Sequence, residues 1–328
     1  MPAPYPLLLE PILLSKVWGG DRLASMGKRV KPGDTIGESW ELADLPQTSA
    51  SGAGGGAFRS RIANGPLAGH TLHDALTQWG DALLGKTTHG ASGDFPLLVK
   101  FLDARENLSV QVHPSERFAR ENPGAHLKTE CWYIIDAAPG AMIYKGVRPG
   151  VTPEAFARHI AQGTCQDDLI AVPAIPGECH TLPSGTCHAL GAGVLVAEVQ
   201  TPSDTTFRVY DWGREGRELH VDQAVRCIDF GPAPEATRST PGAARTRLVH
   251  TPFFSVDEIT LTPGRVTRLG EGLAATAVIV IRGEARLSAG GVDLPLLLGS
   301  TSLVPASLAG SATIAAPTPL TALIATLA

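Results

Sequence analysis

Ser109-Val110-Gln111-Val112-His113-Pro114 and, a little further on, Lys128-Thr129-Glu130-Cys131-Trp132-Tyr133 are the stretches whose reading decides the fold. In an extended strand, side chains alternate between the two faces. Ser109, Gln111 and His113 therefore share one face, while Val110 and Val112 point into a core. In the second stretch Lys128, Glu130 and Trp132 share a face, opposite Thr129, Cys131 and Tyr133. Two such strands, placed side by side, present an imidazole and a carboxylate to one space. A further imidazole lies at His188, within Leu182-Pro183-Ser184-Gly185-Thr186-Cys187-His188-Ala189-Leu190. Two His and one carboxylate on rigid strands suit a divalent metal such as zinc. The pattern predicts a metal site inside a β-barrel and an enzyme acting on a small polar substrate.

Working outward, Phe95-Pro96-Leu97-Leu98-Val99-Lys100-Phe101-Leu102-Asp103-Ala104 is a nearly continuous apolar run, the mark of a buried strand. Lys100 inside it needs a partner or a purpose. Gly193 to Gln200 is a second such strand carrying Glu198, and Ser203 to Trp212 places Asp204, Thr206, Arg208 and Tyr210 on one face. Lys100, Lys128, Glu198 and Arg208 are thus polar intrusions in apolar strands. Burying each alone would cost several kcal/mol, on the order of what an unpaired ion loses on desolvation. One polar, metal-centred pocket accounts for all of them. Taken singly each has a plainer explanation: Glu198 as a structural partner of a Lys or Arg, Lys128 as a solvated edge residue.

A lone His near a strand end is more often structural than a ligand. His70, His73, His89, His126, His159, His220 and His250 fall in loops, helices or edges and are set aside. His180 lies near His188 but no carboxylate pairs with it in the sequence, so it is left out as well.

Ser15 to Gly20 reads as a turn with Trp18 as a core or pocket aromatic. Ile36 to Leu42 reads as a strand with Glu38, Trp40 and Leu42 on one side and Ser39 and Glu41 on the other. Thr48 to Ala57, rich in Ser, Gly and Ala, reads as a surface loop. Leu72 to Leu84 has helical spacing, and Thr152-Pro153-Glu154 supplies an N-cap, a first-position Pro and an acidic first turn to a short helix ending near Gln162. Residues 232–242 make the best linker. From Phe253 onward the chain holds no His and consists of short β-type runs between Gly and Pro turns, which predicts an all-β unit. The expected organisation is a catalytic barrel over 1–235, with small helical segments, and a C-terminal barrel over 240–328 without metal ligands.

Composition narrows the class further. At 328 residues the chain can bury a large core. With 36 Gly and 26 Pro it favours turns over long helices. Its formal charge of −5 comes without a basic run, which argues against a nucleic-acid surface. The five cysteines form no CxxC pair and suit reduced thiols. Neither a signal peptide nor a membrane span is visible. A cytoplasmic protein, monomeric or homodimeric, is expected.

The segments already quoted around Lys100, His113, Glu130 and His188, together with Gln200-Thr201-Pro202-Ser203-Asp204-Thr205-Thr206-Phe207-Arg208-Val209-Tyr210-Asp211-Trp212, resemble the type I mannose-6-phosphate isomerases in their short bacterial form. The resemblance is strong from about Trp18 to Phe230 and weak beyond. It implies a cupin, or jelly-roll β-barrel, fold, one zinc ion per chain, and interconversion of mannose 6-phosphate and fructose 6-phosphate through a cis-enediol. By position the zinc ligands fall on His113, Glu130 and His188, with Gln111 as a fourth and Arg208 as the active-site arginine. Two departures stand out. Only 58 residues separate Glu130 from His188 (188 − 130), too few for the helical insert of the long forms. Leu190 stands where those forms have a tyrosine. Lys128 and Glu198 join Arg208 as candidate catalytic groups, and Ser109, Lys100 and Asp204 as candidate substrate-binding groups. Two rivals remain in view: another metallo-cupin activity, such as an iron oxygenase, or a sugar-phosphate-binding protein without catalysis.

Overall fold

The computed structural model describes residues 2–48, 54–87, 93–122, 125–270 and 272–328. Strands dominate, and the helices are short. The first half is two facing antiparallel sheets. One has seven strands in the order Ala236–Arg238, Glu178–Leu182, Glu130–Ala137, Val194–Gln200, Leu98–Ala104, Ile12–Gly20, Ile36–Leu42. The other has five, in the order Leu169–Pro173, Met142–Val147, His188–Leu190, Val110–Val112, Phe207–Tyr210. Their inner faces meet in an apolar layer of Leu102, Trp132, Ile134 and Val196 from the first sheet and Ile143 and Leu190 from the second. This is the two-sheet, cupin-like arrangement expected.

The predicted alternation holds where it matters. Val110 and Val112 enter the apolar core that lies behind the five-stranded sheet. Cys131 and Tyr133 lie on the outer face of the seven-stranded sheet, and Trp132 on the inner face. One detail differs: His113 and Glu130 do not sit on adjacent strands. They follow and begin strands of different sheets, and meet across the space between them.

The other differences are local. Ser15 to Gly20 belongs to the long Ile12–Gly20 strand and is not a simple turn, although its pairing with Ile36–Leu42 is irregular at Ser15. Trp18 is buried, as expected. In Ile36–Leu42 a register shift between Trp40 and Leu42 breaks the period of two. Glu38 and Trp40 stay on the inner face, while Leu42 turns to the outer core. A second shift, between Arg208 and Tyr210, takes Tyr210 away from the cavity that Asp204, Thr206 and Arg208 line. The helix over Leu72 to Leu84 is split at Gly80 into Leu72–Trp79 and Asp81–Leu84. Pro153–Gln162 starts as read, with the Thr152 hydroxyl accepting from Ala155 N. Of the loop read over Thr48 to Ala57, residues 49–53 lie outside the described residues, as does His89; Gly56–Arg59 pairs with Asp44–Thr48 as a short hairpin.

The second half has a six-stranded sheet, Leu7–Leu8, Thr301–Val304, Thr276–Arg282, Leu320–Leu327, Phe254–Leu261, Arg245–His250, and a four-stranded one. Between them lies a close-packed apolar core with Val278, Leu287, Leu296, Ile314 and Ile324. The other face of the six-stranded sheet supplies Phe254, Ala277, Leu303 and Leu323 to the same cluster as Val99, Phe101, Cys131 and Tyr133. The two halves share that core.

Candidate metal centre and active site

His113, Glu130 and His188 each offer one ligand atom within 4.8 Å of the others, and all three are buried. Sheet register makes the cluster: His188 stands opposite Gln111 in the five-stranded sheet, and Leu182 opposite Glu130 in the seven-stranded one. Backbone carbonyls choose the tautomers. His113 Nδ1 donates to Thr205 O at 2.9 Å, and His188 Nδ1 to Thr186 O at 2.8 Å. Each Nε2 therefore carries a lone pair and no proton, and both face the carboxylate, at 3.4 and 3.3 Å from Glu130 Oε2 and Oε1.

Burial pushes both imidazoles away from protonation. It drives His188 down to about 3, and burial with the Lys128 ammonium lowers His113. Burial alone would raise the Glu130 carboxyl; Lys128 and the imidazoles hold it well below the usual range. Two lone pairs and a carboxylate converge, and neither Glu130 oxygen has a well-formed hydrogen bond. The cation beside them is Lys128 Nζ, 2.7 Å from Glu130 Oε2 and 3.2 Å from His113 Nε2. Only a positive charge suits such a donor set, and its His₂Glu chemistry fits a divalent metal. The Gln111 carboxamide nitrogen lies 3.4 Å from His188 Nε2, beside the triad.

Lys128 and Gln111 also floor a cavity of about 250 Å³ that opens toward solvent. Among its walls are Trp18, Trp40, Ser109, Asp204, Thr206 and Arg208. Lys100 lines it too, bonded to Glu198 at 3.1 Å and set over the Trp40 ring. Burial would lower this ammonium, but Glu198 and Glu38 more than offset it and raise it. Glu198 uses its second oxygen to accept from Trp132 Nε1 at 2.8 Å. The Arg208 guanidinium donates to Glu218 O at 2.6 Å, while its buried Nε has no partner. Burial, then neighbouring Arg217, lowers its basicity. Five cations line the walls (Lys16, Lys100, Lys128, Arg208, Arg217) against three carboxylates (Glu38, Glu198, Asp204), so the space favours an anion.

All ten residues singled out in the sequence thus lie in one region: three in the triad and seven on the walls of the cavity beside it. Sequence reading missed Lys16 and Arg217, and gave Glu38 no role although its alternation placed it beside Trp40. Lys16 sits two residues before Trp18 on the same face, a signal that was available; Arg217 lies in an irregular segment that carries none. Of the histidines set aside, His73 does find carboxylates: Asp44, at 3.1 Å, and Asp94. His220 braces Arg208 from behind through its backbone.

Residues 7–142 match the family model for the catalytic domain of type I phosphomannose isomerase. A mannose-6-phosphate isomerase of Streptococcus mutans is 34% identical over 308 residues, covering 92% of each chain. The crystal structure of the mannose 6-phosphate isomerase of Bacillus subtilis superposes with a TM-score of 0.82 at 32% identity, over 98% of this chain and 99% of that one. A zinc-bound mannose 6-phosphate isomerase structure superposes with a TM-score of 0.75 at 19% identity, over 98% and 99%. With this likeness running the length of the chain, the protein belongs to the type I phosphomannose isomerase family.

Proposed function

We propose that the protein is a zinc-dependent aldose–ketose isomerase that interconverts mannose 6-phosphate and fructose 6-phosphate. The observation that carries this is the triad: two imidazole lone pairs and a carboxylate, buried with Lys128 as the cation beside them, at the floor of a cation-rich cavity. Family membership supports the substrate, and the zinc-bound relative supports the metal. We assign residues 1–235 to the catalytic unit and 240–328 to a supporting one without ligands.

His113, Glu130 and His188 would hold one zinc ion, with Gln111 as the neighbouring fourth donor. When bound, the ion supplies Lewis-acid stabilisation of charge on the substrate oxygens. The chain's own residues do the rest. The phosphate end of the sugar is placed among Ser109, Lys100 and the other wall cations, where charge-assisted hydrogen bonds are strongest. Arg208, with an unused donor and, among the described residues, no carboxylate within ion-pair distance, orients the sugar and stabilises negative charge as a cis-enediol forms. Glu198 has both oxygens committed, to Lys100 and Trp132, and so keeps the Lys100 ammonium charged and aimed. Asp204 and, once it has given up its proton, Lys128 line the cavity as the groups to take and return the C2 proton.

The test is a coupled fructose 6-phosphate assay with and without chelator, beside metal analysis of the purified protein. Turnover that stops on chelation and returns with zinc is expected. His113→Ala should lose metal and turnover together, and Arg208→Ala should keep the metal while turnover falls by about 100-fold or more. Full turnover in metal-free His113→Ala protein would defeat the assignment.

A further inference from the structure

Behind the metal centre, the same two sheets enclose a second cavity, of about 500 Å³, which shares no wall residue with the first. Its walls are largely apolar: Val147, Ile170, Val172 and Phe230, with the proline-rich segment 231–236 across the mouth. Two polar side chains reach it from the inner faces, Lys145 and His180, exposed by only 4% and 1%. Trp132 divides this space from the triad; it pairs across strands with His180 and stands edge-on to the His188 ring at 5.2 Å.

Lys145 is the anomaly. Lys100 and Lys128, the other lysines buried between these sheets, each touch a carboxylate. Among the described residues, no hydrogen bond or ion pair within 4 Å joins the Lys145 ammonium to anything. The acidic groups that act on it are the Cys179 thiol and Glu178, and the Glu178 carboxylate is already held by Arg238 at 2.6 and 2.8 Å, with His180 at 3.5 Å. A buried cation without a counter-ion, at the end of an apolar chamber of ligand size, is half of a binding site.

We propose that this cavity binds a small apolar molecule bearing a single carboxylate, which pairs with Lys145 while the hydrocarbon body lies against Val147, Ile170, Val172 and Phe230. The charge requirement is for one negative charge. A phosphate dianion would find only one cation there, with Glu178 behind it and Glu235 at the rim. The two cavities share no wall residue, so the two sites fill independently.

Calorimetric titration of the zinc-loaded enzyme with octanoate and with 1-octanol, in the presence of saturating fructose 6-phosphate, tests this. Octanoate should bind saturably and about tenfold or more tighter than octanol, the worth of one charge-assisted bond. Lys145→Met should erase that preference while octanol still binds. Ile170→Trp, which fills the chamber from a half-buried wall position, should abolish both, and its turnover should match wild type. Equal affinity for acid and alcohol in the wild type would overturn the proposal. So would displacement of octanoate by rising fructose 6-phosphate, or unchanged octanoate binding in Ile170→Trp.

Discussion

Glu198 accepts from Trp132 Nε1 and holds Lys100, and all three side chains are almost wholly buried. A buried pair of this kind contributes little net stability, but breaking it leaves one ion uncompensated. Glu198→Gln keeps the shape and the acceptor for Trp132 while removing the charge opposite Lys100. Glu38 still faces Lys100, so the loss should fall at the low end of the roughly 3–5 kcal/mol typical of a broken buried pair. Chemical denaturation measures it, and adding Lys100→Met should restore part of the loss; a double variant no more stable than the single one would refute the pairing as its cause. His180 makes a pH prediction. Burial, then Lys145, lowers it from an ordinary 6.5 to about 4. Between those values the unfolded chain binds the proton and the folded chain does not, so stability rises with pH across that window. Its contribution is complete above about pH 6.5 and is lost as pH falls toward 4, by up to about 3 kcal/mol. The stability-versus-pH curve of His180→Asn should be flatter than wild type over that range, and parallel curves would count against it.

At the scale of strands and helices, legibility in the sequence tracked the regularity of the backbone. Where the period of two is unbroken, as over residues 130–134, alternation placed Glu130 and Trp132 on one face correctly, ahead of the register shift between Leu195 and Val196 of the neighbouring strand. Where a bulge intervenes, at Leu42 and at Tyr210, one extra residue moved the side chain to the other face. Such shifts leave no composition signal, since they answer to strand pairing far away in the chain. The candidate triad was legible because each of its members stands at the end of an apolar strand; the opposition of the two sheets across it was not, since sheet order is a long-range property. The Ile12–Gly20 strand carries a constraint of its own. A Cβ on Gly19 would stand 2.4 Å from Gly37 N and 2.5 Å from Thr35 O, backbone atoms that cannot step aside. Gly19→Ala should therefore part this strand from Ile36–Leu42 and shift Trp18, Lys16 and Glu38 at the cavity wall. A stability loss of about 1–3 kcal/mol, with KM for mannose 6-phosphate raised more than kcat is lowered, is expected. Steady-state kinetics with wild-type KM would show the close approach to be relieved elsewhere.

For the molecule as a whole, the C-terminal half is coupled through packing to the half that carries the triad. Leu7–Leu8 leaves the first half of the sequence to pair with Thr301–Val304, and Ala236–Arg238 pairs with Glu178–Leu182 beside the catalytic strands. Between these exchanges, Phe254, Leu303 and Leu323 complete the core that backs Cys131 and Tyr133, one and three residues from Glu130 of the triad. Such a shared core makes unfolding of the two halves one event. The distribution of tryptophan allows a clean reading, because Trp18, Trp40, Trp79, Trp132 and Trp212 all precede residue 235. Tryptophan fluorescence therefore reports on the catalytic half alone. Phe254 is fully buried in the other half, and Phe254→Ala should cost about 3–5 kcal/mol. If the core is common, the fluorescence transition should fall by several degrees and stay coincident with that seen by far-ultraviolet circular dichroism. Were the halves independent, fluorescence would melt at the wild-type temperature while circular dichroism showed an earlier, separate step. Zinc held by the triad would sit in one half only, yet under the shared core its addition should raise the single transition of both, through mass action on the folded state.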